Sequence, residues 1–324
     1  MKVVFLLLVT CNFITAQNYQ WVNYNKENSG LPTNSIQFIT QDKNDNYWIG
    51  TYDAGLVFFD GENWKVFNTA NSQLPHNSVR TIAVDKTENI WVGTYGGGLA
   101  KFFNGEWKIY NTKNSLLPDN FIYSIAVDSA NNLWIGTSYM GLVKFDGEKF
   151  HIFNKSNSII PIDKITSVFI DKQEILWIGT PEETVCFKNG IFLKSSELDT
   201  FFCDTGIYQI SGDYKNRILF AYKFGGLGIF DGEKYFSFTP KNSKIPFSGF
   251  YSVASDSNGI IWLASFGNGV VCYNGKDWIQ FRKSNYKLMD DLVFYVYVDK
   301  QNNKWFGTYF SGVFIYNNEG VRLK

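Results

Sequence analysis

The chain carries little of the equipment that covalent chemistry needs. Its 324 residues include two histidines, His76 and His151. A catalytic or metal-bound imidazole requires a second ligand or an orienting carboxylate at suitable spacing. His76 stands in a Leu-Pro segment and His151 in a Phe-rich one, and neither has a partner at ligand spacing. Carboxylates occur as adjacent pairs, Glu182-Glu183 and Asp290-Asp291. Two carboxyls flanking a glycosidic bond can cleave it by acid–base chemistry. Adjacent residues on a strand face opposite sides, however, and adjacent loop acids are mostly solvated. Gly96-Gly97-Gly98 has the look of a phosphate cradle, but no Lys-Ser/Thr follows and no helix begins there. The four cysteines (Cys11, Cys186, Cys203 and Cys272) form no C-x-x-C pair, which argues against zinc. No G-x-S-x-G, H-E-x-x-H or EF-hand loop is present. The expectation is no catalytic residue, no metal ligand and no cofactor.

What must position the remaining residues is a repeat. Trp48-Ile49-Gly50-Thr51 returns as Trp91-Val92-Gly93-Thr94, Trp134-Ile135-Gly136-Thr137 and Trp177-Ile178-Gly179-Thr180, at a constant step of 43 residues. A worn copy, Leu219-Phe220-Ala221-Tyr222, follows one residue early. Trp262-Leu263-Ala264-Ser265 and Trp305-Phe306-Gly307-Thr308 complete seven copies. Each copy reads as four short strands. In the second these are residues 78–84, 90–94, 99–103 and 107–110, separated by an Asp-rich turn, a Gly turn and the Asn104-Gly105 hairpin signal. Repeats of this length made of four strands predict an all-β, seven-bladed β-propeller. Trp21-Val22-Asn23-Tyr24 aligns with the outer strand Trp64-Lys65-Val66-Phe67 but precedes the first copy. It is expected to complete or flank the seventh blade, whose own outer strand, residues 321–323, is short. Closure of this kind removes exposed sheet edges.

Composition agrees. Aromatic residues make up 18% of the chain, with 30 Phe, 19 Tyr and 10 Trp, and aromatics favour strands. Thirty basic residues balance thirty acidic ones, which speaks against a nucleic-acid footprint or a polybasic membrane surface. Lys2, the apolar run of residues 3–9 and Ala16 read as a secretory signal, residues 1–16, too short to span a bilayer. Cys11 offers lipidation as the alternative, although Thr10 suits that signal poorly. Residues 17–324 then form one domain, placed in the periplasm or at the cell surface. The cysteines left after cleavage are odd in number and irregular in spacing, so buried free thiols are expected rather than a disulfide framework.

The pattern LP-x-N-x-I, D, N-x-W-I-G-T, G-L, F-D-G is carried by Leu74-Pro75-His76-Asn77-Ser78-Val79 through Trp91-Val92-Gly93-Thr94. It resembles the two-component regulator propeller repeat, over roughly residues 21 to 324. Such repeats occur in extracytoplasmic sensor halves of hybrid histidine kinases, where they are linked to sensing glycan fragments. The resemblance implies the propeller fold and a recognition role. No β-sandwich, transmembrane helix or kinase segment is legible in these 324 residues, so it does not imply phosphotransfer. Streptogramin lyases have a similar strand pattern but use a histidine- and metal-based site, for which this chain lacks the histidines.

Seven copies permit an internal comparison. The turn Asp recurs as Asp42, Asp85, Asp128, Asp171, Asp213, Asp256 and Asp299, and seven equivalent acids serve structure, not catalysis. Glycine recurs at Gly55, Gly98, Gly141, Gly226, Gly269 and Gly312, where a positive φ is expected. Positions that differ between copies are the ones free to recognise a ligand. Near the start of each inner strand these are Gln37, Arg80, Tyr123, Thr166, Tyr208, Tyr251 and Phe294. Just after the Trp strand they include Tyr52, Tyr95, Tyr139, Glu182, Phe224, Phe266 and Tyr309. The expected ligand-binding set is Gln37, Arg80, Tyr95, Tyr123, Tyr139, Glu182, Tyr208, Phe224, Tyr251, Phe266, Phe294 and Tyr309. An aromatic ring with scattered hydrogen-bonding groups suits an oligosaccharide or similar polar ligand, and equally a cell-envelope protein partner. Loop-on-loop packing is the purely structural alternative. The fourth and fifth copies break the pattern most, at Pro181-Glu182-Glu183-Thr184 and at residues 198–204.

Overall fold

The computed structural model describes residues 20–194, 206–285, 288 and 290–323. The signal segment with Cys11, the variant loop at residues 198–204 and Cys203 lie outside the described residues. Among the described residues the chain forms seven four-stranded antiparallel sheets arranged as a ring. The first blade comprises β2 (Ile36–Gln41), β3 (Tyr47–Thr51), β4 (Leu56–Phe59) and β5 (Trp64–Phe67). The second, at Val79–Val84, Ile90–Thr94, Leu99–Phe103 and Glu106–Tyr110, matches the sequence expectation to within one residue.

The seventh blade shows how the ring closes. Its sheet order is β1 (Trp21–Tyr24), β28 (Val313–Tyr316), β27 (Lys304–Thr308) and β26 (Val293–Val298). The N-terminal strand is therefore the outer strand, pairing Trp21 with Tyr316 and Tyr24 with Val313. Residues 321–323, read from the sequence as an outer strand, form none. Val321 and Leu323 pack instead on the core beside Val22 and Tyr24. The edge of β28 is already occupied, and a second partner has no place there.

The core lies between blades. Trp48, Leu56 and Phe67 of the first blade pack with Val79, Ile82, Ile90 and Val92 of the second. Burying one such large apolar side chain contributes about 2–3 kcal/mol relative to exposure. The glycine of the Trp-x-Gly-Thr string makes this approach possible. A Cβ on Gly93 would stand 2.6 Å from Ile122 Cγ2 of the next blade. In the fifth and sixth copies the position is Ala221 and Ala264, both fully buried. The Gly closing the second-to-third-strand turn has the expected positive φ, +97° at Gly55, and a Cβ there would meet the Phe67 carbonyl oxygen at 2.1 Å.

The turn Asp is the main polar pin of each blade. Its carboxylate accepts the indole N–H of the Trp six residues on, at 2.8 Å for Asp85–Trp91 and 2.7 Å for Asp299–Trp305. In the fifth blade that Trp is Leu219, and Arg217 fills the role, its Nε 2.6 Å from Asp213 Oδ2. Between blades the inner strands are stitched by side chains. Ser124 Oγ accepts from Val168 N, Ser167 Oγ from Ile210 N, Gln209 Oε1 from Val253 N and Ser252 Oγ from Val296 N, at 2.8–3.0 Å. Two buried reaches flank the closure. Tyr47 Oη donates to Asp299 of the seventh blade at 2.8 Å, and Lys304 Nζ lies 3.2 Å from Asp256 of the sixth. Cys186 and Cys272 are buried free thiols.

Candidate functional site at the mouth of the ring

The inner strands carry a shared irregularity where the site forms. In the first blade Ile36 pairs with Thr51, but Phe38 pairs with Gly50, so Gln37 is an extra residue in the ladder. The same shift brackets Arg80, Tyr123, Tyr208 and Phe294. A bulge leaves one residue unpaired and re-aims its side chain. Here it turns one residue into the central opening in each of five blades. In the fourth and sixth blades Thr166 and Tyr251 stand just before the inner strand and donate backbone N–H to Gly179 and Ala264, each at 2.9 Å. All seven residues line one cavity of about 600 Å³. Its wall also includes Tyr52, Lys164, Gln209 and Tyr295.

The lining divides into two arcs. On one side Tyr208 packs on Tyr251 with ring centroids 4.5 Å apart and planes tilted by 31°, and Tyr251 meets Phe294 edge-on at 5.4 Å. Phe294 continues to Tyr309 at 5.6 Å and Tyr309 to Tyr52 at 6.0 Å. On the other side the Arg80 guanidinium lies 4.7 Å over the Tyr123 ring and donates to Gln37 Oε1 at 2.9 Å. Lys164 Nζ stands 5.5 Å from the same ring. Burial, then the neighbouring Tyr251, pushes the Tyr208 hydroxyl up to about 12, so it stays a neutral phenol across the physiological range.

The ligand-binding set expected from sequence separates by place. Gln37, Arg80, Tyr123, Tyr208, Tyr251 and Phe294 come together in the cavity. Tyr95, Phe266 and Tyr309 form a tier against it. Tyr95 lies under Arg80 at 5.5 Å, and Phe266 packs on Tyr251 at 5.9 Å. Tyr139 and Phe224 stand on the rim, 61% and 65% exposed. Glu182 belongs to a tight turn where Thr180 Oγ1 accepts its N–H, away from the lining. Lys164 was missed. Across the copies its position reads Ser35, Ser78, Phe121, Lys164, Gly206, Gly249 and Leu292, so a single cation stands out. The same comparison of copies contained that signal.

The groups that suggested chemistry are otherwise engaged. Asp290 accepts from Leu292 N and Phe310 N, and Asp291 accepts from Lys283 N. Glu183 pairs with Lys194 at 3.6 Å. His76 Nδ1 accepts from Ser78 N, and His151 contacts Asp146 at 3.2 Å. The N–H groups of Gly96, Gly97 and Gly98 all donate to protein oxygens, of Asn120, Thr94 and Asn120. They are not presented to an anion. Among the described residues no cluster of three His, Cys, Asp or Glu is placed to hold a metal.

The molecule is a closed seven-bladed β-propeller with a lined central mouth. The model of the two-component regulator propeller family matches three of the chain's repeats, at residues 30–53, 73–96 and 116–139. Among solved structures the chain is similar to the extracellular domain of a hybrid two-component system from B. thetaiotaomicron. They share 22% identity and a TM-score of 0.76, over 93% of this chain and 42% of that one. It is also similar to PorZ, a surface component of the type-IX secretion system of Porphyromonas gingivalis (16% identity, TM-score 0.74, 89% and 47% covered). A third is virginiamycin B lyase from Staphylococcus aureus (12% identity, TM-score 0.73, 91% and 98% covered). The chain thus spans less than half the length of the first two. No curated protein sequence matches it. At these identities the likeness establishes the fold.

Proposed function

We propose that this chain is a non-catalytic extracytoplasmic recognition module that binds an oligosaccharide or similar polar ligand at the mouth of the propeller. The carrying observation is the contrast within each repeat. The Asp–Trp pin and the turn glycine recur around the ring, while the residue at the start of each inner strand, bulged in five blades, changes identity and faces one cavity. A rigid frame with variable, converging side chains suits recognition. Tyr208 and Tyr251 offer faces for the apolar C–H side of a sugar ring, and Gln37, Arg80 and Thr166 offer hydrogen-bonding groups for its edges. Repeats of a family named for two-component regulators support a sensing role outside the cytoplasm. Among the described residues no helix is long and apolar enough to cross a membrane.

The test is a carbohydrate panel against the purified chain, read by thermal melting and product analysis together. A ligand that binds only the native state at one hundred times its Kd stabilises by about 2.7 kcal/mol. A saccharide that raises the melting temperature and remains intact supports the reading. Cleavage products would overturn the non-catalytic part. Tyr208→Ala and Tyr123→Ala should weaken binding at least tenfold with little change in melting temperature, and undiminished binding would overturn the site.

A second reading has its own observation. Tyr139, Phe224, Phe266 and Phe310 are 53–65% exposed at the turn tips, a scatter of aromatic surface suited to docking a cell-envelope protein. A flat saccharide panel combined with stoichiometric capture of one envelope protein, lost on Phe224→Ala, would favour it.

A further inference from the structure

The charge inside the mouth is of one sign. Its described lining holds two cations, Arg80 and Lys164, and no Asp or Glu. Each lies over the Tyr123 ring, 4.7 and 5.5 Å from its centroid, so they stand within about 10 Å of each other, one Debye length at 0.1 M salt. At that distance the two charges repel, and among the described residues neither forms an ion pair. Two acids nearby in the chain are oriented away from them by backbone bonds: Asp119 accepts from the N–H groups of Phe121 and Tyr139, and Asp163 from that of Lys155, and neither pairs with Arg80 or Lys164.

Arg80 is also pre-set. Gln37 Oε1 accepts one of its N–H groups, and Tyr95 and Tyr123 hold its guanidinium between them. A guanidinium has five N–H donors in a fixed fork that matches a carboxylate or a sulfate. Among the described residues one of these donates, to Gln37, which leaves the rest of the fork for a ligand. Opposite stands the aromatic arc of Tyr208, Tyr251 and Phe294. A cationic ligand would meet the aromatic arc but be repelled by the two cations. A neutral sugar would leave both charges uncompensated.

We propose that the ligand is an anionic saccharide, its uronate carboxylate or sulfate ester on the Arg80–Lys164 arc and its ring face on the Tyr208–Tyr251 arc. This rests on the saccharide reading above. The anion supplies the missing counter-charge, and the aromatic arc takes the apolar face, so both halves of the lining are used by one molecule.

The experiment is titration calorimetry of the full chain with matched probes: trigalacturonate, its methyl ester and galactotriose, then a chondroitin sulfate tetrasaccharide and its desulfated form. The acidic member of a set should bind at least tenfold more tightly than its neutral analogue, with affinity falling as salt rises. Arg80→Gln and Lys164→Gln should each cost about tenfold on the acidic probe and little on a neutral one. Among the described residues the Lys164 ammonium makes no hydrogen bond or ion pair and lies over the Tyr123 ring, so its variant reports even if Arg80→Gln unfolds, which a melting curve detects. Neutral probes binding as well as acidic ones, or acidic binding indifferent to Lys164→Gln, overturns the anionic inference and leaves saccharide recognition standing. Binding by no probe of either charge overturns both.

Discussion

Asp85→Ala tests whether the repeated acid serves the frame. Asp85 is 3% exposed and accepts five hydrogen bonds. Oδ1 takes Thr87 N, Thr87 Oγ1 and Asn89 N at 2.8–3.0 Å, and Oδ2 takes Asn89 Nδ2 and Trp91 Nε1 at 2.6 and 2.8 Å. Asn89 Nδ2 and Thr87 Oγ1 already contact each other at 2.6 Å and can regroup after the substitution. Asn89 N–H and the Trp91 indole N–H, both buried, cannot. A stranded buried donor costs about 1–3 kcal/mol, so a total near 3 kcal/mol is expected. For a chain of this size, with an unfolding entropy of about 0.65 kcal/mol/K, that lowers the melting temperature by about 4–5 °C. Burial pushes the Asp85 carboxyl up, but the bonds from Trp91, Asn89 and Thr87 outweigh it and hold the group below its usual range. A carboxyl depressed in the folded state stabilises above its unfolded pKa and loses that contribution as pH falls through the folded one. The gap between wild type and variant should therefore be constant above about pH 5 and narrow only below about pH 4. Thermal melts followed by tryptophan fluorescence across this range measure it, with saccharide binding as the control. A drop of less than 2 °C at pH 7, or lost binding at unchanged stability, would refute the structural assignment.

The closure yields further expectations. Tyr47→Phe removes the buried bond to Asp299 and should cost about 1 kcal/mol, seen in urea melts, because Trp305 and Asn303 still satisfy that carboxylate. Lys304→Met strands the fully buried Asp256 carboxylate without its cation and should cost about 3 kcal/mol, seen in urea melts. Asp42 and Asp85 need no lysine because the Asn46 and Asn89 side chains donate to them, whereas Asp256 has Ile260 at that position, and a loss below about 1 kcal/mol would contradict the role of Lys304. Deleting residues 1–24 removes the outer strand of the seventh blade with Trp21 and Tyr24. It should lower stability by about 4 kcal/mol or more and expose the edge of β28, so light scattering should reveal association. Burial raises both Cys thiols, that of Cys272 to about 12, so Cys186 and Cys272 should resist Ellman's reagent at pH 8 until the chain unfolds, as peptide mapping can check.

The repeat alone determined the architecture. Seven strings at near-constant spacing, six opening on Trp and six followed by a turn Gly, each flanked by short alternating segments, leave few folds that bury so many aromatics. The recurrence of Asp also marked it as structural, because a bond to a side chain six residues on is local and repeats with the sequence. Comparing copies then picked the inner-strand residues that line the cavity, since a variable side chain inside an invariant frame answers to something other than the frame. Three things waited for the tertiary structure. Which strand closes the ring depends on a contact between residues almost the whole chain apart, Trp21 with Tyr316, and no local pattern separates that strand from residues 321–323. Whether Gln37, Arg80 and Tyr208 face the opening or the sheet depends on a one-residue bulge, which reverses the direction of a side chain without a residue type to announce it. The sign of the field in the mouth was hidden because thirty charges of each kind cancel over the chain. Only folding brings Arg80 and Lys164 to one cavity whose described lining has no acid, while Asp119 and Asp163 are turned to backbone N–H groups.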